Sequence, residues 1–187
     1  LSNYADSSAY DLNVSSNGSP EINASGVSGY AIRFGNGSSD SLSLNNFNEI
    51  KENAPRSIES WIKTSQSTAG ILGWGTSNNR WNFIWNSQGP KIFTENGGER
   101  QGSGTVGNGQ WNHLLASYPG NGSDINATRL YLNGRLIDAP ASSIDGLVNT
   151  GNDSDLIIGG LPGGTSLLDG WMDETRISTV ARSHAWA

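Results

Sequence analysis

The stretch Arg129 to Ile137 reads Arg-Leu-Tyr-Leu-Asn-Gly-Arg-Leu-Ile, two short apolar runs that meet at Asn133-Gly134. A two-residue hairpin loop of type I′ needs positive φ at both central positions, which Asn and Gly tolerate. A chain that turns here commits its flanks to antiparallel pairing. The same grammar recurs along the sequence. Tyr30 to Phe34, Ser41 to Leu44, Gly70 to Trp74, Arg80 to Asn86, Lys91 to Thr94, Trp111 to Tyr118 and Asp155 to Gly159 are short apolar or alternating runs. Turn-forming residues, mostly Gly, Asn, Ser or Asp, separate them. In Ser57 to Lys63, Ile58, Ser60 and Ile62 share one face of a strand, and Glu59, Trp61 and Lys63 share the other. Gly170 to Ile177 reads as a closing strand. No segment longer than about 10–12 residues carries a helical period with caps. Phe47 to Asn53 and Val180 to Ala187 offer a turn at most. Roughly a dozen short strands predict an all-β fold, a β-sandwich or jelly roll.

With 187 residues, the chain is read as one sandwich domain over residues 1–187 with its own core. Seven Trp, five Tyr and four Phe separate this Gly-, Ser- and Asn-rich chain from the disordered class. The net charge of −6 leaves no basic stripe to neutralise phosphates, so nucleic acid is not an expected partner. Cysteine is absent, which excludes disulfides and zinc–thiolate sites. No run of about 18 apolar residues exists, so no membrane insertion is expected. Leu1 stands where an initiator Met would, and the chain is read as a piece of a longer, exported protein whose other domains are its covalent partners.

Several stretches, in this order, resemble the laminin G-like jelly-roll domains of the concanavalin A-like lectin/glucanase superfamily. They are Gly29 to Gly35, Ile58 to Lys63, Gln110 to Tyr118, Leu130 to Gly134, Leu156 to Gly159 and Gly170 to Ile177. The resemblance implies two packed antiparallel sheets, one of them concave, in an accessory module of a secreted or cell-surface bacterial protein. Such modules bind glycans or mediate adhesion. It also implies a structural calcium between an N-terminal Asp loop and the closing strand, which by motif match means Asp6 and Asp173.

Catalysis finds little support in the residues. Glycoside hydrolysis needs two carboxylates flanking the scissile bond. The nearest candidate, Glu95-Asn96-Gly97-Gly98-Glu99, has a turn signal at its centre. His113 shares a strand face with Trp111 and reads as a packed histidine. Calcium takes oxygen ligands, and Asp6, the Asn149 to Asp155 loop and Asp173-Glu174 are oxygen-dense. Sugars pair apolar faces with polar edges, so a glycan site combines aromatic platforms with Asn, Arg or acidic groups. The segment Trp74 to Asn86 has that mixture. Phe83 and Trp85 are expected in the core. Trp74, Asn79, Arg80 and Trp81 lie at or near a loop and are expected to be exposed, joined by Glu95 and Arg100 from the next hairpin. The chain is therefore read as a non-enzymatic module that binds a polysaccharide or glycan. The alternatives are a structural spacer whose tryptophans are all core, and a glycan-active enzyme.

Overall fold

The computed structural model describes residues 13–35, 39–95, 98–137 and 146–187. Among them run fourteen strands: β1 (Val14–Asn17), β2 (Glu21–Ser25), β3 (Tyr30–Phe34), β4 (Ser41–Phe47), β5 (Arg56–Thr64), β6 (Ala69–Trp74), β7 (Trp81–Asn86), β8 (Gly89–Thr94), β9 (Gly98–Gln101), β10 (Trp111–Tyr118), β11 (Arg129–Leu132), β12 (Arg135–Leu136), β13 (Ser154–Ile158) and β14 (Gly170–Ser178). They form two seven-stranded sheets, the first in the order β1-β4-β13-β6-β7-β8-β9 and the second in the order β12-β11-β10-β5-β14-β3-β2. All pairings are antiparallel. The helical content among the described residues is two 3-10 turns, Ile125–Ala127 and His184–Trp186. No described helix is long and apolar enough to cross a membrane.

Two expected turns take the expected form for a physical reason. Asn133 and Gly134 have φ of 51° and 78°, and they join β11 to β12. Gly159 closes β13 at φ 80°, where a Cβ would sit 2.6 Å from the ring of Phe34. Three strands escape the sequence pattern, and each is polar. β1 reads Val-Ser-Ser-Asn, β2 reads Glu-Ile-Asn-Ala-Ser and β9 reads Gly-Glu-Arg-Gln. They are the outermost strands of their sheets, where one flank stays unpaired and charge or polarity discourages further pairing.

Between the sheets lies the core, built from Phe34, Ile58, Ile62, Leu72, Trp74, Trp81, Phe83, Trp85, Leu114 and Leu156 among others. Arg56 is buried with them. Parity along β5 places it on the inner face with Ile58, Ser60 and Ile62. Its guanidinium lies 4.9 Å from the ring centre of Trp81, 5.5 Å from Trp74 and 5.7 Å from Tyr118. It donates to the Ala54 carbonyl at 2.9 Å, the Glu52 carbonyl at 2.8 Å and the Thr150 hydroxyl at 2.6 Å. Burial lowers its pKa from the usual arginine range to about 10, so it remains cationic at neutral pH.

Lys in place of Arg56 cannot reproduce a planar fork that stacks and donates in three directions. Arg56→Lys is expected to cost about 2–4 kcal/mol in a denaturant titration, the range for breaking a buried charged network. A cost under about 0.5 kcal/mol, the level of an ordinary surface change, would refute this role.

Candidate functional site

The expected ligand loop is only partly assembled. Arg80 and Glu95 do meet, Nη1 to Oε1 at 2.9 Å, and Glu95 also accepts the Asn78 N–H. Asn79 is half-buried, its main-chain carbonyl taken by the Gly151 N–H at 2.8 Å. Arg100 is nearly buried on β9, in register with the core residue Ile92, and faces inward. Trp74 and Trp81 correct the expectation of exposure, because both are fully buried. They pair across β6 and β7 in the inward register, and Trp74 Nε1 donates to the Ile50 carbonyl at 2.8 Å. Phe83 and Trp85 are core, as expected. Glu95 and Glu99 sit on opposite arms of a hairpin, each beside its own cation, Arg80 and Lys91.

The remaining four tryptophans share one surface. Trp61, Trp111 and Trp171 are half-buried and Trp186 is 46% exposed. All lie on the outer face of the second sheet. Register gives a transverse row, Trp111–Lys63–Trp171–Arg33–Glu21, running across β10, β5, β14, β3 and β2. The neighbouring row is His113–Trp61–Asp173. Arg33 stacks 4.5 Å from the Trp171 ring centre and ion-pairs with Asp169 at 2.5 Å. Lys63 Nζ lies 5.5 Å from the same ring. Trp61 and His113 stand 5.2 Å apart, tilted by 45°. None of the indole N–H groups of Trp61, Trp111 and Trp171 has a partner among the described residues.

The C-terminal residues bound this surface. Ser57 donates to the Val180 carbonyl at 2.8 Å, and Ser117 donates to the Arg182 carbonyl at 2.8 Å. His184 stacks on Tyr131 at 5.7 Å, and Trp186 Nε1 donates to Glu59 Oε2 at 3.1 Å. The tail thus lies over the outer face at Ser57, Ser117, Glu59 and Tyr131, while Trp61, Trp111 and Trp171 stay half-buried. On the first sheet, Leu161 and Pro162 pack against Gly70 and Gly73 and roof the middle of its outer face.

Glu59 is the hub between tail and rows. It is 6% exposed and also faces His113 Nε2 at 3.3 Å and Arg176 Nη1 at 3.5 Å. Burial pushes the His113 pKa below its usual value, against the pull of Glu59 through charge and hydrogen bond, while Arg176 pushes it down further. Of the expected calcium pair, Asp6 lies outside the described residues. Asp173 is 8% exposed and accepts the N–H of Ser28 at 2.9 Å and of Glu174 at 2.8 Å. It has no cation beside it, and no group of three His, Cys, Asp or Glu residues comes together among the described residues.

An aromatic and polar sheet face on a β-sandwich is the candidate site of this structure. The chain matches the laminin G model described as the Concanavalin A-like lectin/glucanases superfamily over residues 36–186, and it belongs to that family. Among solved structures it is similar to domain 4 of AbnA, a GH43 extracellular arabinanase from Geobacillus stearothermophilus, in complex with arabinotriose. That match has a TM-score of 0.63 and 19% identity, over 94% of this chain and 85% of the other. It is also similar to the botulinum neurotoxin serotype D binding domain, at TM-score 0.69 and 16% identity, over 97% of this chain and 46% of the other. A type C neurotoxin structure, described as dependent on two ganglioside molecules for cell entry, matches at TM-score 0.68 and 16% identity, over 97% and 46%. The chain therefore spans about half of the toxin binding domains. No curated protein sequence matches.

His113 generates a test with a definite sign. Its folded pKa is below the unfolded 6.5, so the unfolded chain takes up the proton first as pH falls. The stability contributed by neutral His113 is present above pH 6.5 and is lost as pH drops from there through the folded value. His113→Gln is expected to flatten the fall in melting temperature across that window. By NMR, Glu59→Gln is expected to lower the His113 titration further. A rise on removing Glu59 would contradict the contact.

Proposed function

We propose that the chain is a non-catalytic glycan-binding module, working outside the cell as part of a larger protein, and that its ligand lies along the open tryptophan rows of the second sheet. The carrying observation is the partition of the tryptophans. Three fill the core, and every other one lies on this single face. A spacer that only needed a core would bury them, whereas half-buried aromatics with free N–H groups offer an apolar face and a polar edge together. The neighbours described with arabinotriose or gangliosides support a sugar ligand and an extracellular setting by analogy of fold. Catalysis is disfavoured because Glu59 and Asp173, the nearly buried carboxylates of this face, are both committed to donors. Neither is free to transfer a proton or attack a sugar.

The test is binding to a panel of neutral and acidic polysaccharides by affinity electrophoresis or calorimetry. Trp111→Ala and Trp61→Ala are each expected to weaken binding at least about tenfold, the loss expected on truncating an aromatic anchor. Arg80→Ala should have little effect. The reverse pattern would move the site to the Arg80–Glu95 loop, and a folded protein that binds no glycan would refute the reading.

The reading includes the structural calcium at Asp6 and Asp173. It is supported by a nearly buried carboxylate with no neighbouring cation among the described residues. Such an ion would join the N-terminal segment to β14 and stabilise the fold by mass action. Millimolar calcium is expected to raise the melting temperature, and Asp173→Asn should abolish the rise. Equal melts in calcium and in chelator would remove the ion from the proposal.

A further inference from the structure

We propose that the row Trp111–Lys63–Trp171–Arg33 selects an acidic glycan and that Lys63 is its anion contact, the preferred group being the carboxylate of a uronic acid. This deepens the proposed function and rests on it. The argument starts from hydrogen-bond chemistry. Indole, ammonium and guanidinium groups donate and cannot accept. Four consecutive members of the row are therefore donor-only, across four adjacent strands. A neutral sugar presents hydroxyls that both donate and accept, and such a row leaves their donors without partners. A carboxylate is acceptor-only and matches the row.

The acceptors nearest the row already take donors of this chain. Asp169 takes Arg33, and its main-chain carbonyl takes the Thr64 hydroxyl at 2.7 Å. Asp173, in the next row, accepts two main-chain N–H groups. Glu21 lies at the far end of the row, beyond Arg33.

Charge singles out Lys63. The chain carries 17 acids against 11 Lys and Arg, so cations easily find carboxylates. On the outer face of the second sheet, Arg33 and Arg176 do. Lys63 ion-pairs with nothing among the described residues. It stands half-buried between two tryptophans, with its ammonium near one ring. One unpaired ammonium on this face of an acidic molecule suits a sparsely charged polymer rather than a polyanion. Densely charged chains would be repelled by the net −6.

The experiment is calorimetry with glucuronoxylan and with the same polymer after its carboxyl groups are reduced to alcohols, with heparin as a sulfate arm. The acidic polymer is expected to bind about tenfold tighter than its reduced form at low salt. That preference should shrink in 0.5 M salt, since exposed charge pairs are screened there. Lys63→Gln should erase the preference, and Lys63→Arg should restore it. The preference should survive chelator. Equal affinity for the two polymers, an intact preference in Lys63→Gln, or loss of the preference in chelator would overturn the inference and leave glycan binding standing. Tighter binding of heparin than of glucuronoxylan would overturn the carboxylate assignment. Binding of none of the three would remove the proposed function itself.

Discussion

A cation with no carboxylate holds the two sheets of this molecule together. Arg56 enters the interior from the second sheet and is caged by Trp74 and Trp81 of the first and Tyr118 of the second. Taking a guanidinium out of water is costly, and no acid among the described residues offsets it. Three hydrogen bonds and three aromatic faces do so instead, and ring quadrupoles favour a desolvated cation. The three acceptors lie on the Glu52–Ala54 segment and on Thr150, which also pair with each other through main-chain bonds between Glu52 and Thr150. One side chain thereby fixes the spacing of the sheets, the entry into β5 and the loop before β13. The outer face of β5 inherits its position from that anchor, so the proposed ligand rows depend on a residue that never meets solvent.

Much of the fold was legible because the period of a strand is unambiguous when one side is apolar. Ser57 to Lys63, Trp111 to Tyr118 and the Asn133-Gly134 turn appear in the structure as they read in the chain. The polar edge strands β1, β2 and β9 were not legible, since an edge gains most of its order from a neighbour and needs no alternating pattern of its own. Arg56 was illegible for another reason. The run Asn53-Ala54-Pro55-Arg56 resembles a surface turn, and only parity with Ile58, Ser60 and Ile62 marks it as interior.

The exposure of Trp74 and Trp81 was misjudged through the same parity. Trp81, Phe83 and Trp85 share a face with one another, and a face holding Phe83 and Trp85 as core holds Trp81 too. Proximity to a loop did not outweigh that rule. The surface that the structure favours was already written in the alternation of Glu59, Trp61 and Lys63 and in the pair Trp111 and His113. What no single strand could reveal was the register that sets β10, β5 and β14 side by side. The row exists only between strands, and long-range pairing is the part of a β-protein that local pattern does not encode.

That register also imposes a scale. Neighbouring strands in a sheet lie about 4.8 Å apart, so Trp111 and Trp171, two strands from each other, are separated by roughly 9.6 Å. A single sugar ring cannot lie against both indoles at once. A chain of several can, and each further contact then forms at high effective concentration. The surface is thereby a length gauge. On the proposed reading it would hold a polymer through several individually weak contacts and release its monomer.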